Sequence, residues 1–300
     1  MKHQLIDRFR VTGDTVTFFR ILLFQTLGLF TFCLLGLSTS AFSQAIAIAE
    51  TPKQPMIAFL GDSNLLGSGQ FQELSTTQQS PFQSVQIFNP IAAQYAPLQA
   101  SVSSGNGYGP RIGPEIGFSE GYQSHFNRFL AWNQLALLKI GTDGSTVSPQ
   151  NGSPALAWQP GGLYDLFYSV TQLALQQSRN QTELKAIVFN IGFNDATLQL
   201  TAEFSRSLRQ LIQAIEHDFP NVPLFFCGMS NHYPRGGLTN ADIQTVNQSL
   251  QQAASQNENI YFIDFHDIPT KVHDPAHYST QGQIQAGRLI FEALKAHFRW

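Results

Sequence analysis

Five short apolar runs, separated by stretches with helical periodicity, constrain the fold of this chain more than any other feature. The runs are Met56–Leu60, Leu135–Ile140, Leu184–Ile191, Val222–Met229 and Ile260–Phe265. They are continuous in apolar character rather than alternating, which is typical of strands in a parallel sheet covered by helices on both faces. Strand–helix alternation of this kind predicts a three-layer α/β domain with right-handed crossovers and a mainly parallel five-stranded sheet.

Helix signals lie between and after these runs. One helical face is predicted from apolar residues spaced three and four apart, namely Phe204, Leu208, Leu211, Ile212 and Ile215. The segment Thr239–Asp242 has the pattern of a capping box, with Leu238 and Ile243 placed as its hydrophobic staple. A final amphipathic helix is predicted over Gln283–Phe298.

Composition places the chain among globular proteins and excludes some partners. Hydrophobic residues make up 43% and charged residues only 12%, which suits a sizeable core and argues against disorder. The formal net charge is −3, so the charge balance favours binding neither to nucleic acid nor to a membrane surface.

Residues 67–133 are rich in Gln, Ser, Gly and Pro, and we expect them to form an ordered excursion that shapes a substrate cleft.

Residues 1–43 have the pattern of an export signal. Four basic residues precede the apolar stretch 21–37, and small residues follow it. We expect cleavage near residue 43, which leaves residues 44–300 as a single exported domain, periplasmic or extracellular. The alternative is a membrane anchor formed by residues 21–37, because a stretch of this length lies at the lower limit for spanning a bilayer.

Three sequence blocks supply the residue types of an acyl-transfer site. Gly61-Asp62-Ser63-Asn64 follows the first apolar run, Gly192-Phe193-Asn194-Asp195 follows the third, and Asp274-Pro275-Ala276-His277 precedes the last helix. A serine, a base with an orienting carboxylate, and an amide donor are what such a site needs. Ligands of parallel α/β sheets bind beyond the carboxyl ends of the strands, so Ser63 and Asn194 are predicted at one edge.

These blocks, in this order, resemble those of the SGNH (GDSL-type) hydrolases. A narrower resemblance, to the sialate O-acetylesterase and carbohydrate esterase family six branch, is carried by Gly113–Phe118, Lys139–Thr146 and Trp158–Gly161. This chain departs from that branch at three places. It has Asp62 where the branch has glutamine, and Ile191-Gly192-Phe193-Asn194-Asp195 where the branch has Gln-Gly-Glu-Ser-Asp. It also has Asp143-Gly144 where the branch has a double glycine. The resemblance implies a flavodoxin-like α/β/α fold and a serine esterase.

Each member of the predicted triad has a distinct role. Ser63 is the predicted nucleophile, whose hydroxyl is inert until a base takes its proton. His277 is that base, and Asp274 holds its other ring nitrogen and stabilises the imidazolium. The alternatives are a Ser63 that only caps a helix and an ordinary loop Asp and His. His273 adjoins the same Asp274 but lacks the spacing of His277.

The predicted oxyanion hole combines one side chain with two backbone groups. The Asn194 amide and the N–H groups of Ser63 and Gly144 are expected to bind the developing oxyanion. Alternatively, Asn194 caps the helix that follows, unless Asp195 does so. Gly144 is alternatively a plain turn glycine, with Asp143 supplying the N–H.

Three residues are further candidates for substrate binding. The resemblance places Glu115 near the site, although a carboxylate favoured by the helix dipole is an equally good reading. Arg111 is a candidate to contact an acidic sugar, or else to form a surface ion pair. Tyr108 is a candidate to stack on a sugar, or else to pack in the core or rim.

The predicted function is removal of O-acetyl groups from a carbohydrate through an acyl-Ser63 intermediate. The alternatives are a general short-chain acyl or lipid esterase, an O-acyltransferase using the same intermediate, and a carbohydrate-binding module without catalysis. No pair of His falls at helical metal-ligand spacing and no Cys pair suits zinc, so we expect neither metal nor cofactor. The expected partner is an acetylated carbohydrate or another small ester.

Overall fold

A seven-stranded sheet forms the centre of the fold in the computed structural model, which describes residues 53–103, 111–126, 134–232 and 238–300. The predicted export signal lies outside the described residues. The strands are β1 (Gln54–Gly61), β2 (Val85–Asn89), β3 (Gln94–Pro97), β4 (Leu135–Gly141), β5 (Thr182–Asn190), β6 (Leu224–Cys227) and β7 (Ile260–Ile263). The α-helices are α1 (Ser63–Leu66), α2 (Thr76–Gln79), α3 (Pro114–Phe126), α4 (Leu163–Gln177), α5 (Phe193–Thr197), α6 (Thr201–Asp218), α7 (Asn240–Gln256) and α8 (Thr280–Phe298).

The strand order is β3-β2-β4-β1-β5-β6-β7, and all neighbouring pairs except β2–β3 are parallel. The five predicted strands are β4, β1, β5, β6 and β7, which follow the 2-1-3-4-5 order of flavodoxin-like sheets. The predicted α/β fold with a mainly parallel sheet is therefore confirmed. After β1 the chain forms β2, β3 and β4 on one side of β1, and it then crosses over to form β5 on the other side. The topological switch point therefore lies between β1 and β5.

The predicted strand count of five is wrong, because the sheet contains two more strands. β2 pairs in parallel with β4, and β3 returns antiparallel to β2 at the edge of the sheet. Both come from the Gln- and Pro-rich region 67–133, which also supplies α2 and α3. Short strands of this kind are stabilised by the strands they pair with, so their own composition carries little signal.

The buried surfaces of the strands and helices account for the apolar patterns. All seven residues of β4 are buried, as expected for a strand covered on both faces. On α6 the predicted face is buried throughout, from Phe204 to Ile215. The capping box before α7 is formed as predicted, because Thr239 Oγ1 accepts from the Asp242 N–H and Asp242 accepts from the Thr239 N–H.

The last helix, α8, begins three residues earlier than predicted. Ser279 caps it by accepting a hydrogen bond from the Gly282 N–H. On its apolar face Ile284, Ile290 and Leu294 are buried, whereas Leu289 packs against the core but is only partly buried. Across the ranges that the structure describes, no helix combines the length and the apolar character needed to cross a bilayer.

Candidate active site

The nucleophile block lies where β1 meets α1. Gly61 ends the strand, Asp62 is the N-cap of the helix, and Ser63 is its first residue. A Cβ on Gly61 would clash with the Asn190 carbonyl at the end of β5, so only glycine permits this close approach. The cap is formed by Asp62, whose carboxylate accepts from the Asn64 N–H at 2.9 Å, so the Ser63 hydroxyl is not occupied in capping.

Ser63, His277 and Asp274 form a hydrogen-bonded row. His277 Nε2 lies 3.0 Å from Ser63 Oγ, and His277 Nδ1 lies 2.7 Å from Asp274 Oδ2. The His277 N–H also donates to the Asp274 carbonyl at 3.1 Å, which closes a tight turn around the pair. The side chains of His277 and Asp274 are 30% and 48% exposed, so the row opens to solvent on one side.

Asn194 approaches the same cleft from the end of β5. Gly192 is the N-cap of α5 with a φ of 104°, a left-handed conformation that favours glycine, and it turns the chain sharply after the strand. The Asn194 amide does not cap the helix. Its Nδ2 donates to the Ser145 carbonyl at 2.9 Å, which ties α5 to the segment after β4.

Gly144 lies in the turn that follows β4, with a φ of 74°. Among the described residues, neither the Gly144 N–H nor the Ser63 N–H donates a hydrogen bond. Both residues line a cleft of about 410 Å³ together with Phe193, Asn194 and His277. The geometry thus brings one amide side chain and two available N–H groups to the cleft that holds the serine hydroxyl.

Asp195 holds the Gly144 segment in place. Its carboxylate is fully buried and accepts from the N–H groups of Val147 and Ser148, each at 2.8 Å. Burial raises the Asp195 pKa, while these N–H donors act in the opposite direction. Asp195 therefore binds the loop after β4 and does not cap α5. The sequence did not indicate this contact with the loop. The Trp158 indole adds a bond to Ser145 Oγ at 3.2 Å.

Asp62 is an unusual neighbour for a nucleophile, because its carboxyl group is completely buried. The Asp62 pKa is raised to about 7, mainly by burial and to a smaller extent by the carboxylates of Asp195 and Asp143, while the hydrogen bond from the Asn64 N–H acts in the opposite direction. Within the described residues, Asp62 Oδ2 has no hydrogen-bond partner. The local structure therefore favours the neutral acid in weakly acidic solution.

Comparison with known proteins decides the family. A sequence profile described as carbohydrate esterase, sialic acid-specific acetylesterase matches residues 54–296. The chain belongs to this family. It is accordingly a carboxylic ester hydrolase, and its activity is removal of O-acetyl groups from carbohydrate. The comparison with curated proteins finds no match.

Two solved structures share the fold of this esterase. An Arabidopsis thaliana protein superposes with a TM-score of 0.64 at 17% identity, covering 82% of this chain and 100% of its own. The structure of NanS superposes with a TM-score of 0.61 at 14% identity, covering 83% of this chain and 99% of its own. At these identities the likeness supports the fold and not the substrate.

Arg111 lies at the rim of the esterase's cleft, where it is paired. Its guanidinium donates to both carboxylate oxygens of Asp143, at 3.0 and 2.6 Å. The two side chains are 32% and 57% exposed, which matches the surface ion pair considered above. Both also line an adjoining cavity of about 400 Å³ with Leu66, Gly141 and Thr142.

Glu115 does not reach the cleft, which corrects the expectation that it binds substrate. It is completely buried and forms an ion pair with Lys139 at 2.8 Å, while its other oxygen accepts from the Gly113 N–H at 3.0 Å. Burial raises the Glu115 pKa and lowers the Lys139 pKa, and the opposite charge of each partner counteracts both. Glu115 thus joins the start of α3 to β4.

The remaining candidate, Tyr108, lies outside the described residues. Within the described ranges, no three His, Cys, Asp or Glu side chains are grouped as they would be around a metal ion.

Proposed function

We propose that this esterase deacetylates its carbohydrate substrate through a covalent acetyl-Ser63 intermediate. The observation that carries the proposal is the row in which His277 lies 3.0 Å from Ser63 Oγ and 2.7 Å from Asp274. These are the contacts that a nucleophile, a general base and an orienting carboxylate require.

In the first half-reaction, Ser63 Oγ attacks the acetyl carbonyl while His277 Nε2 takes the hydroxyl proton. Asp274 keeps His277 in the tautomer that accepts at Nε2 and stabilises the imidazolium that forms. The tetrahedral intermediate then collapses, and His277 returns the proton to the sugar oxygen as the ester bond breaks. In the second half-reaction, water repeats the sequence and releases acetate and free Ser63.

The developing oxyanion is bound by Asn194 Nδ2 and by the N–H groups of Ser63 and Gly144. All three residues line the cleft that contains His277. Donors fixed in place before the reaction stabilise charge without reorganisation in the transition state, and each is worth about 10²–10³ in rate. The hydrogen bond from Asn194 to Ser145 supports this role because it limits the orientations of the amide.

The cleft favours a small acyl group on a hydrophilic alcohol. Its volume of about 410 Å³ lies near the lower end of the range for small-molecule sites. The paired Arg111 and Asp143 give the rim a polar character that suits the hydroxyl groups of a sugar.

We further propose that the protein is exported and that its signal is cleaved near residue 43. N-terminal sequencing of the secreted protein tests this proposal.

The experiment compares hydrolysis of 4-nitrophenyl acetate, butyrate and octanoate by the purified protein, with Ser63→Ala as the control. We expect acetate turnover that falls with acyl length and vanishes in Ser63→Ala. Octanoate turnover above acetate turnover would favour a lipid esterase. Absence of Ser63-dependent turnover from a folded sample would refute the serine mechanism and favour a transferase or a binding module.

The sugar is identified by acetate release from O-acetylated sialic acid and from O-acetylated neutral sugars, measured in parallel. Ser63→Ala again sets the background. A preference for the sialic acid would indicate that the esterase tolerates a substrate carboxylate close to Asp143 and Asp274, and a preference for neutral sugars would indicate that it does not.

A further inference from the structure

His277 belongs to a segment that has little regular structure of its own. Between β7 and α8, residues 264–279 contain no helix and no strand apart from an isolated bridge between Thr270 and Tyr278. The His277 side chain is also 30% exposed. Segments of this kind are usually more mobile than the helices and strands that they connect. A general base needs a fixed position, because an error of 1 Å can cost about 10² in rate.

The Asn64 side chain holds this segment from both sides of His277. Asn64 Nδ2 donates to the Ala276 carbonyl at 3.0 Å, and Asn64 Oδ1 accepts from the Tyr278 N–H at 3.0 Å. The two backbone groups belong to the residues directly before and after the base. The amide orientation follows from the chemistry, because a carbonyl can only accept and an N–H can only donate.

Asn64 is itself held rigidly. Its side chain and backbone are 1% exposed. Its N–H donates to Asp62 Oδ1 at 2.9 Å, and its carbonyl accepts from Gln283 Nε2 at 3.0 Å. The amide therefore extends from a fixed backbone at the start of α1, one residue after the nucleophile.

We propose that Asn64 is a positioning residue that holds His277 at hydrogen-bonding distance from Ser63. Because Asn64 directly follows Ser63, its two side-chain bonds make the nucleophile and the base move together. The inference rests on the proposed function of Ser63 and His277 and extends it to a buried residue that does not line the cleft. The two side-chain hydrogen bonds of Asn64, to the Ala276 carbonyl and from the Tyr278 N–H, are called the clamp below. Since His277 acts in acylation and in deacylation, both steps depend on the clamp.

Asn64→Ala is the test variant, and Asn247→Ala is the matched control. Asn247 also binds a backbone through both ends of its amide, accepting from the Met229 N–H at 2.7 Å and donating to the Met229 carbonyl at 3.1 Å. Its contacts lie between α7 and the residues after β6, apart from the row. We expect Asn64→Ala to lower kcat about 10²-fold with little change in KM, and Asn247→Ala to retain kcat.

Two measurements separate positioning from a general loss of stability. The proton on His277 Nδ1 should give a downfield NMR signal in the wild type, in Ser63→Ala and in Asn247→Ala, and should broaden or vanish in Asn64→Ala. The rate at which a fluorophosphonate labels Ser63 should fall in Asn64→Ala in parallel with kcat. This rate is measured under conditions in which urea unfolding shows that the variant is folded. Equal kcat in Asn64→Ala and Asn247→Ala would overturn the proposal.

A measurement on the unmodified protein covers the case in which Asn64→Ala does not fold. The Tyr278 N–H should exchange with solvent far more slowly than that of Val272, an exposed residue of the same segment. Exchange of Tyr278 as fast as that of Val272 would overturn the clamp. If the wild type hydrolyses no ester, the proposed function fails, while the exchange rate and the His277 signal still report on Asn64.

Discussion

Asp62→Asn should change how the stability of this esterase depends on pH. The unperturbed pKa of an Asp is 3.8, whereas burial raises the Asp62 pKa in the folded protein to about 7. Below pH 3.8 the carboxyl group is neutral in both states. Between pH 3.8 and about 7 the folded state keeps a proton that the unfolded state has lost, so the free energy of unfolding falls as pH rises.

The size of this effect follows from the shift of about three pH units. Each unit corresponds to about 1.4 kcal/mol, so the ionisation of Asp62 removes about 4 kcal/mol of stability across the window. That is a large fraction of the roughly 5–15 kcal/mol that stabilises a typical domain. Asparagine keeps an oxygen to accept from the Asn64 N–H but does not titrate, so the variant should lack this pH dependence.

The assay is urea unfolding of both proteins at several pH values from 4 to 8, with the free energy of unfolding extrapolated to water. Other groups titrate in this range, but they are common to both proteins and cancel in the difference. We expect the difference between wild type and Asp62→Asn to shift in favour of the variant by about 4 kcal/mol from pH 4 to pH 8. Parallel curves would refute the reasoning, because they would mean that Asp62 titrates alike in both states.

Three further predictions concern the oxyanion hole, the triad and the buried ion pair. Asn194→Ala should lower kcat by about 10²–10³ with little change in unfolding free energy, and an unchanged kcat would remove Asn194 from the oxyanion hole. Asp274→Asn should lower kcat by about 10⁴ because it favours the wrong His277 tautomer, and steady-state kinetics near neutral pH with a loss under tenfold would contradict this role. Glu115→Gln should destabilise the fold by about 3–5 kcal/mol in urea unfolding because it removes the carboxylate that compensates the buried charge of Lys139, and the double variant Glu115→Gln with Lys139→Met should recover much of the loss. A stable Glu115→Gln protein would show that the pair is already neutral.

The sequence was sufficient to predict the central sheet because its strands carry their own signal. β1, β4 and β5 are continuous apolar runs, and helix α6 has a regular apolar face. β2 and β3 escaped prediction because both are short, and β3 lies at the edge of the sheet with β2 next to it. Their pairing depends on β4, which is about fifty residues further along the chain for β2, as the register of Val85 with Leu135 shows.

The candidate site was predictable to the level of its motifs and not to the level of its supports. Ser63, Asn194, Asp274 and His277 stood out because each residue type has a known chemical use at such a position. The prediction that Glu115 lies at the substrate site was wrong because burial depends on tertiary packing. No residue near Glu115 in the sequence indicates its ion pair with Lys139.

The supports follow a common arrangement that local sequence does not reveal. At the end of β1, Ser63 lines the cleft while the next residue, Asn64, binds the backbone on either side of His277. At the end of β5, Asn194 lines the cleft while the next residue, Asp195, binds the N–H groups of residues 147 and 148.

Each strand end thus delivers one polar residue to the cleft and a second to a neighbouring segment. The distance between a reacting group and its partner segment is then set by a single peptide unit, which is nearly rigid. This arrangement explains how groups from β1, β5 and two irregular segments meet within hydrogen-bonding distance although the segments themselves have little regular structure. It also implies that inserting one residue between Ser63 and Asn64 should abolish activity even if the sheet still forms, because the clamp on His277 would no longer be in register with the nucleophile.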